Sequence, residues 1–159
     1  MIATSFEITS PRKRAVNEIR YMLYNHNRID ELIENRKEEL IDRMNLSNAA
    51  WLRGINQESN TFEDVIANFD EDWKIKRYKH WKEFLRNLFA IFKNIESSKY
   101  NRFLQLKYFE DLSFEKIKEK MNITEDELKL LAYQFNCIVY RYAIKDKLFK
   151  EEVQNYATV

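Results

Sequence analysis

One glycine and one proline in 159 residues set the first constraint on this chain. An average chain of this length would hold roughly ten glycines and eight prolines. Tight hairpins draw on those residues for positive and fixed φ angles. With only Gly54 and Pro11 available, an all-α fold is the reading that remains. Apolar residues make up 45% of the chain, which supplies a core for one domain, or for one domain with a helical extension.

The helices can be placed by their caps and spacing. Ser10 followed by Pro11 predicts a helix start, after an arm or docking strand over Met1 to Thr9. Val16, Ile19 and Leu23 mark one face, and Ile29, Leu32, Ile33, Leu40, Ile41 and Met44 continue an apolar stripe. The spacing predicts one helix or two in line from about residue 11 to 45, with Asn25-His26-Asn27 as the break. Residues 47–60 are the longest polar stretch and are expected to be a loop anchored by Trp51. Thr61 and Asp64 predict the next cap. From Trp73 to Ile95 a broad apolar arc (Trp73, Tyr78, Trp81, Phe84, Leu85, Leu88, Phe89, Ile91, Phe92, Ile95) predicts a core-facing helix.

The C-terminal third has the most definite local grammar. Ser98 is expected to cap a helix packed by Tyr100, Phe103, Leu104 and Tyr108. Ser113 caps a short helix whose apolar face is Phe114, Ile117 and Met121. Asn122 falls where the chain must turn, and Asn tolerates the left-handed conformation. Thr124 and Glu127 form a capping box that starts a third, longer helix. Cap, helix, turn, cap, helix is the order of a helix-turn-helix.

The run from Lys107 to Ile117 (KYFEDLSFEKI), with Glu119, Met121, Ile123, Thr124 and Glu125, resembles the DNA-binding region four of bacterial sigma factors. More particularly, it is similar to phage late-transcription regulators of the RinA and ArpU type. The resemblance implies long antiparallel N-terminal helices over residues 1–97, packed with a helix-turn-helix module over residues 98–159. It further implies a DNA-binding transcription regulator that works on double-stranded DNA, with RNA polymerase or a second copy as partner. In that reading Lys116, Lys118, Lys120, Lys129, Tyr133, Gln134 and Arg141 contact DNA.

Charge qualifies this expectation. The formal net charge is +1, so a DNA site has to be a local patch. A second candidate patch is Lys76, Lys79, Lys82, Arg86 and Lys93, which share one strip of the Trp73–Ile95 helix and could track phosphates. The dipole-matched solvated face of a helix gives the same pattern, because Glu58 to Asp72 supplies six acids just before it. In the third helix, Glu125, Asp126 and Glu127 put three acids at the end that would enter a groove.

The third helix also carries two apolar stripes. One is Leu128, Leu131, Ala132, Phe135, Ile138, Val139 and Tyr142, which serves a local core. The other, Leu130, Tyr133, Cys137, Tyr140 and Ile144, has the 3-4-3-4 spacing of a helix–helix seam. Cover for the second stripe comes from the N-terminal helices, a second copy or another protein. The alternative function is therefore a degenerate helix-turn-helix used for oligomerisation or protein contact.

Catalytic chemistry finds little support. A single glycine rules out a glycine-rich phosphate loop, and His26 and His80 lack ligand-spaced companions, so no cofactor or metal is expected. Lone Cys137 cannot form an internal disulfide and suits a reducing cytoplasm. There is no apolar run of membrane-spanning length and no signal-peptide pattern at the N-terminus.

Overall fold

A computed structural model describes residues 11–51, 62–95 and 98–150. The fold is all-α, and no strand occurs among the described residues. The α-helices are α1 (Lys13–Tyr24), α2 (Ile29–Trp51), α3 (Phe62–Ala67), α4 (Trp73–Lys93), α5 (Lys99–Leu104), α6 (Phe114–Met121) and α7 (Glu125–Lys145). A 3-10 turn (Phe69–Glu71) precedes α4, and a π-helical turn (Gln105–Phe109) follows α5. Among the described residues, no helix is long and apolar enough to cross a membrane.

The chain divides into two compact units, residues 27–82 and residues 1–26 together with 83–159. The boundary expected at residue 97 falls inside the second unit. There α1 packs on α7, which ties the N-terminal helix to the C-terminal module.

In the unit containing α7, the core gathers on Phe135. Its ring lies 5.7 Å from Phe92, 5.1 Å from Phe103 and 5.9 Å from Tyr108, and it is fully buried. Ile19, Met22 and Leu23 of α1, Leu88 of α4 and Leu128, Leu131 and Val139 of α7 complete the packing. Phe103, Leu104 and Tyr108 are buried as their spacing predicts. Burial pushes the Tyr108 hydroxyl well above the usual tyrosine range, with a smaller opposing pull from Arg20. Lys107 is buried on the π-helical turn, its ammonium 4.4 Å from the Phe114 ring centroid and 5.6 Å from that of Tyr24. Rings take the place of a carboxylate there.

The unit of residues 27–82 is organised by one ion pair. Arg36 Nε and Nη2 donate to Asp72 Oδ2 and Oδ1, both at 2.9 Å, and both side chains are nearly buried. Arg36 Nη1 also donates to Glu39 at 3.0 Å. Asp72 Oδ2 in turn accepts from the Ile75 amide at 3.1 Å, so it caps α4 as well. Arg36 holds the Asp72 carboxyl below its ordinary range by hydrogen bonding, against a desolvation penalty.

Several expectations are corrected by these elements. Of the two readings of the N-terminal run, two helices with a break at Asn25–Asn27 is the one found: α1 ends at Tyr24, where the Asn25 side chain donates to the Tyr21 carbonyl at 2.7 Å. Arg12 occupies the N-cap of α1 in place of Ser10 and offers no capping oxygen, so Pro11 lies outside the helix. The expected loop at 47–60 begins later, because α2 continues to Trp51 through helix-forming Ala49 and Ala50. The Trp51 side chain, Gly54 and the Thr61 cap lie outside the described residues. The helix of the apolar arc does begin at Trp73, with Asp72 as its cap. Trp73 itself, however, lies on the outer face, 68% exposed, while Ile75 is fully buried in its stead.

Candidate functional site

The candidate site is built from α5, α6 and α7. Ser98 Oγ accepts from the Tyr100 amide at 3.1 Å, Ser113 Oγ from Lys116 at 3.4 Å and Thr124 Oγ1 from Glu127 at 3.2 Å. All three caps stand where the sequence places them. Asn122 has φ 54° and ψ 52°, in the left-handed region. The following Ile123 amide donates to the Lys118 carbonyl at 3.2 Å and the Asn122 amide to Glu119 at 3.2 Å. These two bonds are a Schellman closure, which ends α6 and frees the chain to restart at Thr124. Thr124→Ala is expected to cost about 1 kcal/mol by removing one cap, read from urea denaturation followed by circular dichroism.

Of the candidate DNA contacts, Lys116, Lys120, Lys129, Tyr133 and Arg141 are exposed. Lys118 is half-buried and bonded to Glu115 at 3.0 Å, a hydrogen bond that raises the lysine's pKa and keeps it cationic. Lys129 pairs with Glu125 at 3.4 Å and Lys120 with Glu110 at 3.9 Å. Gln134 is half-buried and accepts from the Tyr100 hydroxyl at 3.3 Å, so it is partly committed to the fold. Arg141 stands three turns beyond Lys129 on α7, about 18 Å along the axis. It lines a different hollow, with Ile91, Ile95 and Tyr142. From Phe114 to Gln134, four lysines face five carboxylates.

The strip on α4 is engaged with local acids. Lys76 bonds Glu71 at 3.0 Å, Lys79 bonds Asp70 at 2.8 Å and Lys82 bonds Asp30 at 2.8 Å. Arg86 pairs with Glu83 one turn earlier, and Lys93 is exposed near the helix end. Lys79 holds the Asp70 carboxyl below its usual range through that hydrogen bond and its charge. For Lys76 and Lys79 this is the acid-then-base pattern of the sequence closed on itself. Each pair is exposed, and such pairs contribute at most about 1 kcal/mol, so phosphates can compete for the cations.

The proposed seam on α7 is graded along its length. Leu130 is 56% and Tyr133 54% exposed, Cys137 and Ile144 are half-buried, and Tyr140 is buried. Tyr140 is thereby removed from the expected interface. The chain covers it from within: Leu148 is buried after the left-handed Lys147, and the Phe149 ring lies 5.6 Å from that of Tyr140. Burial pushes the Cys137 thiol up, opposed by the Tyr133 hydroxyl and by Arg141.

Leu130, the first residue of the expected seam, is open to solvent. It borders a hollow of about 290 Å³ lined also by Lys99, Met121, Ile123, Glu127, Leu131 and Gln134. The available signal was the pair Met121 and Ile123 flanking the left-handed Asn122, which brings two apolar side chains beside α7. Among the described residues no group of His, Cys, Asp and Glu is arranged to hold a metal ion. Comparison of the chain with protein-family models, with curated proteins and with solved structures finds no match in any of the three.

Proposed function

We propose that this chain is a DNA-binding transcription regulator of the phage or mobile-element type, acting through α6 and α7 as a helix-turn-helix. The observation that supports it most is the pair of capped helices joined at left-handed Asn122, with Lys116, Lys120 and Lys129 on the solvent side. The carboxylates at Glu125, Asp126 and Glu127 disfavour close approach to base edges by the first turn of α7. Backbone contacts then carry the binding, and these position a protein without reading sequence. RNA polymerase or a second copy supplies the remaining specificity.

A second reading rests on Leu130 and Tyr133, two large side chains of α7 more than half exposed, the first of them in the lining of the hollow at Met121 and Ile123. In it the module docks a protein and duplex DNA is not bound even at low salt.

The test is a triple variant, Lys116→Ala with Lys120→Ala and Lys129→Ala, titrated against duplex DNA across a salt series. Three lost phosphate contacts lower the slope of log K against log salt by about 3. An unchanged slope would remove α6 and α7 from the DNA site.

A further inference from the structure

We propose that the groove between α4 and the C-terminal half of α7 docks an acidic amphipathic helix of a partner protein. The groove consists of two adjoining hollows of about 210 and 270 Å³ that share Ile91, Tyr142 and Lys145. Both lie within one compact unit. Its floor is apolar, formed by Leu88, Ile91, Phe92 and Ile138, and Ile95 stands 51% exposed at one end. Along α4 it runs from Phe84 to Ile95, about 16 Å, which is the length of a three-turn helix.

The rim decides the occupant. Arg141 and Lys145 are exposed beside the floor, one turn apart on α7. Lys145 lies 5.8 Å from the Tyr142 ring centroid, and neither cation has a carboxylate ion pair among the described residues. Lys93 and Lys116 also lack one among the described residues, but neither lines the groove, whereas Lys76, Lys79, Lys82, Arg86, Lys118 and Lys129 each hold one. The acid in the lining is Asp146, in the hollow with Phe84, Asn87 and Leu88. An occupant therefore has its carboxylates toward the Arg141 and Ile95 end. Apolar side chains at helical spacing fill such a floor, whereas a phosphate backbone has nothing to put there. This proposal is independent of whether α6 contacts DNA.

The test uses the full chain and a fluorescein-labelled amphipathic helix of about four turns, leucine on one face and glutamate on the other. A second peptide carries lysine in place of glutamate. The acidic peptide is expected to bind saturably and the basic one at least about tenfold more weakly. Arg141→Glu with Lys145→Glu lowers the acidic peptide's affinity by about tenfold, and Ile95→Glu does the same from the apolar side. These three residues are exposed, so the variants keep the wild-type melting profile. No saturable binding, equal binding of the two peptides, or wild-type binding by both variants overturns the proposal. So does displacement of the peptide by duplex DNA, which would assign the two cations to phosphates. A dimer that Ile95→Glu dissolves would assign the groove to a second copy. A gain of more than about tenfold on deleting residues 151–159 would assign it to that segment of the chain.

Discussion

Phe135→Ala is expected to destabilise the chain by about 4 kcal/mol, the middle of the range for a buried phenylalanine. Phe135 is fully buried, and three rings from three different elements close on it: Phe92 of α4, Phe103 of α5 and Tyr108 of the π-helical turn. Those neighbours are themselves held by backbone hydrogen bonds, so they cannot collapse into the space, and a cavity remains. The loss is read from urea denaturation followed by far-UV circular dichroism. Phe135→Leu, which keeps most of the volume, should recover more than half of it. A loss below about 1 kcal/mol for the alanine variant would mean that Phe135 is not the centre of this core.

Asp72→Asn is expected to cost about 3 kcal/mol, because it leaves Arg36 nearly buried with only the half-exposed Glu39 as counter-charge. Asparagine can still accept from the Ile75 amide, so most of the α4 cap survives and the measured loss reports the ion pair. Trp51, Trp73 and Trp81 all fall within the unit of residues 27–82, so tryptophan fluorescence follows the affected part of the chain. The pH dependence has a definite sign. The Asp72 carboxyl is depressed in the folded chain, so its stabilisation is complete above the ordinary carboxylate value near about 4. It is lost as pH falls through the depressed folded value. Wild type and Asp72→Asn should differ fully at neutral pH and converge in acid. A gap that stays constant down to about pH 2 would contradict the ion-pair account.

What was legible in the sequence follows from what is local. The Ser98, Ser113 and Thr124 caps and the left-handed Asn122 each depend on a few neighbouring residues, and all four are found. The apolar face of α7 was legible for the same reason, since Leu128, Leu131, Phe135 and Val139 recur at helical spacing and are buried. The Arg36–Asp72 pair was not legible, because its members are 36 positions apart and nothing near either one signals a buried arginine. The π-helical turn at Gln105–Phe109 likewise leaves no local mark, and it rotates Lys107 beneath Tyr24 and Phe114.

The candidate site divides in the same way. Lys116, Lys120 and Lys129 are exposed as a helical face requires, and the i,i+4 spacing of Glu125 and Lys129 already sets that carboxylate beside the lysine. Periodicity could not separate Arg141 from that face, since a residue three turns along one helix meets different neighbours. Tyr140 kept the heptad spacing of an interface residue, and the turn through Lys147 and Leu148 that covers it lies beyond the helix.

The most direct measurement of the central proposal is a fluorescence-anisotropy titration of the full chain against random-sequence duplex DNA at about 50 and 200 mM salt. The regulator reading predicts binding at the lower salt that weakens steeply at the higher, as release of several counterions requires. Absence of binding at the lower salt would contradict it, and would leave Leu130 and Tyr133 as the surface on which to seek a protein partner.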